Sequence, residues 1–251
     1  MNLTPVSTEF FSPRQNLADF IVRYIPSVEE GCVLAVASKL FALWKGEILP
    51  YQNAAQKEDL ILRESTHALK TPLAWFTVKD GMVMTNAGID ESNADGKLLL
   101  LPKDMYALAQ ELRQELQTRW GVKNLGVLVT DSMILPLRAG VVAAAVAYAG
   151  FKGVKDLRGQ PDIYGKPLEV TLINVADSLA TAAALCMGEG NNKTPLCLIQ
   201  NAPAEFTNKT NETEIKYPAE NDLYTPLFQA VGFIKKGDKT VYYAGITSYT
   251  S

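Results

Sequence analysis

Two short apolar runs constrain the fold of this chain more than any other feature of its sequence. Residues Cys32–Ala37 and residues 125–129 are continuous apolar stretches, and each is too short to form a core helix. Runs of this length between polar residues are typical of buried strands. The first run leads into Ser38-Lys39 and the second into Asp131-Ser132. We therefore expect two buried strands that each deliver polar groups to the edge of a sheet.

Helical periodicity occurs on both sides of these runs. Apolar residues recur at helical spacing after Pro13, and longer helices are predicted over 102–120 and 171–187. Residues 58–69 favour another helix, residues 76–84 favour a strand, and Val141–Ala149 fits either. Because strands and helices do not alternate strictly, the pattern disfavours a doubly wound parallel sheet. It predicts an α+β (mixed α/β) fold with mixed sheets flanked by helices and two intertwined subdomains.

The charge balance and the apolar pattern exclude some partners. The chain has 24 lysines and arginines against 27 aspartates and glutamates, for a net charge of -3. A chain without a basic excess is a poor candidate for binding nucleic acid. Residues 1–8 do not resemble a targeting signal, and the most apolar segment, residues 141–150, is far shorter than the ~20 residues that span a bilayer. We expect a cytoplasmic protein with no membrane partner.

The chain has few side chains that could bind a soft metal. His67 is its single histidine, which excludes a site built from several histidines. Cys32, Cys186 and Cys197 match no zinc spacing, and we expect them to be free buried thiols. Any bound ion would therefore have oxygen ligands, which favours magnesium, manganese or calcium.

Three loops place a carboxylate on short, permissive backbone: those of Asp90, Asp131 and Glu189. Carboxylates that come together repel one another unless a cation neutralises them, and Mg²⁺ or Mn²⁺ completes its shell with water and substrate phosphates. Convergence of these acids would imply a nucleotide site. The spacing leaves the convergence open, and each acid alone fits a solvated turn. Established phosphate-binding fingerprints do not occur.

Several segments together resemble a known family, the coenzyme F-420 γ-glutamyl ligases (coenzyme F-420-0:L-glutamate ligases). The resemblance runs from about residue 32 to residue 200, so we interpret residues 1–251 as a single γ-glutamyl-ligase-like catalytic unit, divisible into two subdomains, with residues 201–251 least supported. The segments that carry it are Ala37-Ser38-Lys39, residues 86–93, residues 129–132 with Pro136 and Arg138, Asp156 with residues 158–162 and Gly165, and Ala176-Asp177 with residues 187–189.

The resemblance implies a GTP-dependent ligase that joins L-glutamate to the carboxylate of a coenzyme F-420 precursor through an acyl phosphate. It also implies two Mg²⁺ or Mn²⁺ ions and a homodimer. The implied metal ligands are Asp90, Asp131, Ser132 and Glu189. The residues implied to contact the guanine nucleotide or its phosphates are Ser38, Lys39, Asn93, Gly188 and Gly190. The implied catalytic residues are Asp131 and Arg138.

The chain departs from the family pattern in two segments. Residues 134–138 keep Pro136 and Arg138 but lack an arginine and a tryptophan, and residues 43–47 lack a basic residue at Leu43. These departures leave open a ligase for a folate-like acceptor and a non-catalytic relative that binds nucleotide or metal. The acidic loops by themselves leave open a third alternative, a metal-dependent phosphohydrolase.

Overall fold

The computed structural model describes residues 1–218, 221–230 and 234–235. Helices and several sheets make up this part of the chain, which confirms the predicted α+β class with mixed sheets flanked by helices. The chain divides into two compact units, and each unit combines two separate stretches of sequence. The first unit is Met1–Glu47 with Leu101–Ile215, and the second is Ile48–Leu100 with the described part of Lys216–Ser251.

The elements are numbered along the chain. The helices are α1 (Leu17–Tyr24), α2 (Ser38–Lys45), α3 (Ala54–Glu64), α4 (Met105–Trp120), α5 (Val175–Met187) and α6 (Thr225–Ala230). The strands are β1 (Asn2–Val6), β2 (Cys32–Ala37), β3 (Ile48–Pro50), β4 (His67–Lys70), β5 (Trp75–Lys79), β6 (Met82–Thr85), β7 (Lys97–Leu99), β8 (Leu125–Ile134), β9 (Val141–Ala149), β10 (Val154–Asp156), β11 (Leu172–Asn174), β12 (Leu196–Gln200) and β13 (Ile234–Lys235).

The main sheet of the first unit has the strand order β1-β12-β2-β8-β9, in which β2 and β8 are parallel and the other neighbours are antiparallel. Helix α4 packs against β8 and β9, and α5 packs against β1, β8, β9 and β12. Most of β9 is buried, and five of its nine residues are alanine. Small side chains let both helices approach this strand closely, which explains why the ambiguous segment is a strand.

The pairing of β8 with β9 is interrupted at one point. Val129 lies opposite Ala147, but Thr130 lies opposite Ala145, so Val146 has no opposite residue in the ladder. This extra residue is a β-bulge, a feature that bends a strand and redirects the side chains that follow. The bulge lies immediately before Asp131 on the paired strand.

The second unit contains a sheet of order β13-β4-β5-β6, a β3-β7 pair and helix α3. Its core is formed by apolar side chains of α3, of the four-stranded sheet, of the turn before Asp90, and of β7 and the residue after it: Leu60, Ile61, Ala68, Trp75, Ala87, Ile89, Leu98 and Leu100.

Two sequence predictions are wrong in this unit. The predicted helix over 58–69 ends at Glu64, and His67 begins strand β4. The predicted strand over 76–84 is a hairpin, because Asp80 and Gly81 both have positive φ and form a tight turn between β5 and β6. A hairpin predicted over 231–246 lies outside the described residues, apart from β13. Within the described part of the chain, no helix is both long enough and apolar enough to cross a membrane.

The three thiols differ in exposure. Cys32 and Cys197 are buried in β2 and β12, as expected, but Cys186 is exposed on α5, so the prediction that all three are buried is wrong there. The sequence pattern hid this difference because residues 182–187 are all apolar. Burial raises the pKa of both Cys32 and Cys197 to about 11, so both stay protonated at neutral pH.

Because the thiolate is the reactive form, we expect an aromatic disulfide reagent at about pH 8 to modify Cys186 alone in the native protein. All three cysteines should react after denaturation in guanidinium chloride. The released chromophore counts the thiols directly. The Cys186→Ser variant is the control and should show no rapid native reaction. Rapid native modification of a second thiol would contradict the burial of Cys32 and Cys197.

Candidate active site

The parallel pairing of β2 with β8 brings two predicted site segments to the same edge of the sheet. Ala37 lies opposite Thr130, so Ser38 and Asp131 follow at equivalent points of the two strands. The buried Ser38 hydroxyl donates a hydrogen bond to Oδ1 of Asp131 at 3.0 Å. The structure therefore joins a residue implied to contact nucleotide with a residue implied to bind metal.

A third predicted segment returns to this edge between α5 and β12. The N–H of Ala37 donates to the carbonyl of Pro195 at 2.9 Å, which fixes the end of the returning loop beside β2. The Ser132 hydroxyl donates to Oε2 of Glu189 at 2.7 Å. Successive side chains of a strand leave opposite faces, so Asp131 contacts the start of α2 while Ser132 contacts the loop after α5.

Helix α2 begins without a side-chain cap. Its N-cap residue is Ala37, which has no side-chain acceptor, and the Ser38 hydroxyl is already hydrogen-bonded to Asp131. The first N–H groups of a helix lack intrahelical partners and carry partial positive charge. Lys39 lies in the same turn and adds a full charge. Backbone N–H groups of this kind are a common binding site for phosphate.

Asn192 shapes the loop that carries Glu189, although the sequence analysis did not identify it. Gly188 has a φ of 79°, and a Cβ at this position would lie 2.6 Å from Oδ1 of Asn192. The same oxygen accepts a hydrogen bond from the N–H of Gly190 at 3.3 Å. A Cβ at Gly190 would make only ordinary contact. Glycine is therefore required at 188, and the polar run after Gly190 was the one sequence signal for Asn192.

The loop that precedes Asp90 is a left-handed turn in the second unit. Asn86, Ala87 and Gly88 have φ values of 53°, 56° and 70°. This conformation costs a residue with a Cβ roughly 1–2 kcal/mol, so the surrounding contacts must hold Ala87 in place. Its buried N–H donates to the Thr77 hydroxyl at 2.8 Å. The Asn86 side chain accepts from the N–H of Trp75 at 3.0 Å.

Asp90 follows this turn and is held by its backbone. Its N–H and carbonyl both pair with Leu99, at 3.0 and 2.8 Å. The Asp90 side chain accepts from the N–H of Ser92 at 2.6 Å. The neighbouring Glu91 accepts hydrogen bonds from Tyr51 and pairs with Lys57, and these two contacts lower its pKa. Asp90 and Asn93 belong to the second unit, and their implied roles stay predictions.

The remaining predicted residue, Arg138, is exposed in the turn that follows β8. Leu135 and Leu137 of the same turn are also exposed, and the N–H of Arg138 donates to the Leu135 carbonyl at 3.3 Å. Residues 43–47, the other segment that differs from the family pattern, contain Lys45. The Lys45 ammonium lies 3.1 Å from Glu111 and 3.6 Å from the centre of the Trp44 ring. Lys45 is therefore held by contacts within the first unit.

Strands β10 and β11 pair with each other and, with the residues between them, form an arm of residues 154–174. Residues 156–165 make local contacts within this arm. The Arg158 guanidinium donates to both oxygens of Asp156 and lowers the pKa of that carboxyl to about 2. Asp162 accepts from the N–H groups of Tyr164 and Lys166 at 2.8 and 2.9 Å. These charged residues of the resemblance thus make local contacts that shape the arm.

The donor set at the edge of the main sheet fits a hard cation. Among the residues that the structure describes, no group of three or more His, Cys, Asp or Glu side chains could hold a metal ion alone. The first unit offers instead the Asp131 carboxylate on one face of β8 and the Ser132 hydroxyl with the Glu189 carboxylate on the other. Mg²⁺ is commonly bound by one or two carboxylates and takes its other ligands from water and substrate phosphates. This chemistry suits an ion that arrives with a nucleotide.

The protein therefore has a mixed α+β fold in which oxygen donors of β8 and the uncapped start of α2 lie at one edge of the main sheet. The family model for F420-0:Gamma-glutamyl ligase matches residues 5–201, and the chain belongs to that family. The resemblance inferred from the sequence is thus confirmed.

Several relatives share most of their length with this chain. A protein of Methanococcus maripaludis is 34% identical over 221 residues, which cover 82% of this chain and 89% of the relative. One from Methanopyrus kandleri is 33% identical and covers 77% and 84%. One from Archaeoglobus fulgidus is 36% identical and covers 68% and 76%. Each of the three is named Coenzyme F420:L-glutamate ligase.

We expect Thr77→Val to destabilise the second unit by about 2 kcal/mol, because it removes the partner of the buried Ala87 N–H. Urea unfolding followed by tryptophan fluorescence measures the change. Thr77→Ser keeps the hydroxyl and should recover most of the stability. The control Thr66→Val removes an exposed hydroxyl on the same sheet and should shift the free energy of unfolding by less than about 0.5 kcal/mol. Equal losses in the two valine variants would contradict this account of the turn.

Proposed function

We propose that this protein is an amide-forming ligase that adds L-glutamate to the carboxylate of a coenzyme F-420 precursor, with GTP and Mg²⁺ or Mn²⁺. Family membership supports the reaction class. Two contacts carry the proposal further: Ser38–Asp131 at the uncapped start of α2, and Ser132–Glu189 at the next residue of β8. Together they provide oxygen donors for a cation and N–H donors for a phosphate.

The proposed reaction has two steps. A carboxylate oxygen of the acceptor attacks the γ-phosphorus of GTP, and the bond to the departing GDP breaks. The glutamate amine then attacks the carbonyl carbon of the acyl phosphate, phosphate leaves with the bonding electrons, and the nitrogen loses a proton to form the amide. Phosphoryl transfer depends chiefly on positioning and charge neutralisation. A chain with a single histidine can therefore perform this chemistry.

The residues of the first unit have separate roles in this proposal. The first N–H groups of α2 and the Lys39 ammonium bind phosphate oxygens. Ser38 orients Asp131 through their hydrogen bond. Asp131 on one face of β8, and Ser132 with Glu189 on the other, would supply oxygen ligands to the two divalent ions, which would neutralise phosphate charge when bound. Gly188 and Gly190 keep the loop backbone open to the nucleotide.

The two segments that differ from the family pattern, residues 43–47 and 134–138, favour a second candidate function. In this candidate the protein binds nucleotide without turnover. Lys45 contacts Glu111 and Trp44, so it does not replace the cation that the family pattern has near Leu43. The turn that keeps Arg138 exposes leucines where the family has an arginine and a tryptophan. These differences affect recognition of the acceptor and the phosphates more than the oxygen donors at the sheet edge.

The decisive experiment is mass spectrometry of reactions with GTP, Mn²⁺, L-glutamate and a panel of deazaflavin and reduced-folate acceptors. We expect one product heavier by a glutamyl unit. Asp131→Asn should lower its rate at least about 100-fold, since an amide is a weak ligand for a hard cation. The matched control Asp59→Asn changes an exposed acid of α3 that pairs with Arg63 of the same helix, and it should react within about twofold of the wild type.

The other outcomes separate the alternatives. A glutamylated folate with no deazaflavin product would show that the acceptor is folate-like and not a coenzyme F-420 precursor. GTP binding without any product would favour the non-catalytic relative. Phosphate release that does not depend on glutamate would identify a phosphohydrolase. Equal rates for Asp131→Asn and the wild type would remove Asp131 from the mechanism.

The proposal includes a homodimer in which the β10–β11 arm contacts a second copy. The arm exposes several large apolar side chains: Ile163, Tyr164, Val170, Leu172 and Ile173. Exposed apolar clusters of this kind commonly mark interaction surfaces.

We expect the double variant Ile163→Asp, Tyr164→Asp to halve the mass measured by light scattering, because charge at the arm opposes burial. The control Leu73→Asp alters an exposed leucine of the second unit and should leave the mass unchanged. A monomeric wild type would refute the dimer.

A further inference from the structure

Two side chains of α5, those of Asp177 and Thr181, form hydrogen bonds with the backbone of β9, the strand that pairs with β8. Oδ1 of Asp177 accepts a hydrogen bond from the N–H of Ala145 at 2.8 Å. The Thr181 hydroxyl donates to the carbonyl of Ala143 at 2.7 Å. Asp177 and Thr181 are four residues apart and share one face of the helix. Their targets, Ala145 and Ala143, lie opposite Thr130 and Ser132 in the ladder.

The bulge explains why this strand needs support from the helix. Val146 has no opposite residue, so the regular ladder is interrupted at Ala145, and Asp177 supplies an acceptor at that point. Asp177 is itself fixed by Asn174. The Asn174 amide donates to Oδ2 of Asp177 at 2.6 Å, and the N–H of Asp177 donates to the Asn174 oxygen at 3.0 Å. Both carboxylate oxygens are therefore committed.

The other end of α5 leads to the same site. The helix ends at Met187, and two residues later Glu189 accepts the hydrogen bond of Ser132. The contacts thus form a closed circuit: Ser132 pairs with Ala143, Ala143 is bound by Thr181, and the helix carries Glu189 back to Ser132. A helix is stiff over this length, so a shift at Thr181 changes the geometry of the Ser132–Glu189 pair.

We propose that Asp177 and Thr181 are positioning residues, which set the register of α5 on β9 and so hold Ser132 and Glu189 in the geometry of the site. This inference rests on the proposed function for its catalytic consequence. Neither residue was assigned a role by the sequence analysis, and neither touches a residue implied to bind metal. They act through the backbone of β9.

The test compares Thr181→Val, which keeps the shape of the side chain and removes the hydroxyl, with Thr181→Ser, which keeps the hydroxyl. Thr118→Val is the control, because Thr118 donates to Gln114 within α4 and contacts no site strand. We expect Thr181→Val to lower kcat about tenfold with a smaller change in the KM for glutamate. Thr181→Ser should recover kcat to within about threefold, and Thr118→Val should match the wild type.

Hydrogen exchange followed by mass spectrometry provides a readout without turnover. Thr181→Val and Asp177→Ala, which removes the acceptor for the Ala145 N–H, should speed amide exchange in residues 130–134 and 188–190, while Thr118→Val should not. Unchanged exchange in both segments, or equal exchange in the control, would overturn the inference. If the wild type makes no glutamylated product, the proposed function fails, and the exchange comparison still decides whether α5 positions these residues.

Discussion

The parallel pairing of β2 with β8 is the contact on which the site depends. Both strands are buried, and their hydrogen-bonded register brings Ser38 and Asp131 to equivalent points at one edge. Burial leaves little freedom in this register, because a slip by one residue would force the close-packed side chains of different size on both faces to repack. The geometry of a polar contact is thus determined by an apolar core that lies behind it.

Much of the fold could be predicted from local patterns. Strand β2 and helix α4 occur in the structure nearly as predicted. In each of them the pattern of apolar residues comes from a single uninterrupted element. Errors arose where turns are brief. Asp80-Gly81 forms a hairpin inside what reads as one strand, and β4 follows α3 after two residues. Helix α2 was missed because its polar start was interpreted as the end of a strand.

The site could be predicted in part. The residue types at Asp131, Ser132 and Glu189 indicated oxygen chemistry, and the family resemblance gave them roles. The Ser38–Asp131 contact depends on the pairing of β2 with β8, and the Ser132–Glu189 contact joins residues 57 apart in the chain, neither of which spacing encodes. Asn192 was missed, and Asp177 was named in the resemblance without a role, for another reason. Each acts on backbone groups of a loop or a bulge, and neither irregularity has a clear signature in the sequence.

The division of each unit into two sequence segments has a consequence for how the chain folds. Residues 48–100 are synthesised between β2 and β8, so the central pair of the main sheet cannot form until this entire insert has left the ribosome. The entropy of closing such a loop grows only with the logarithm of its length, so the insertion costs little stability. It delays the contact in time instead. The Ser38–Asp131 bond therefore cannot form in a nascent chain that has not yet reached β8, although α1 and β2 have already been synthesised.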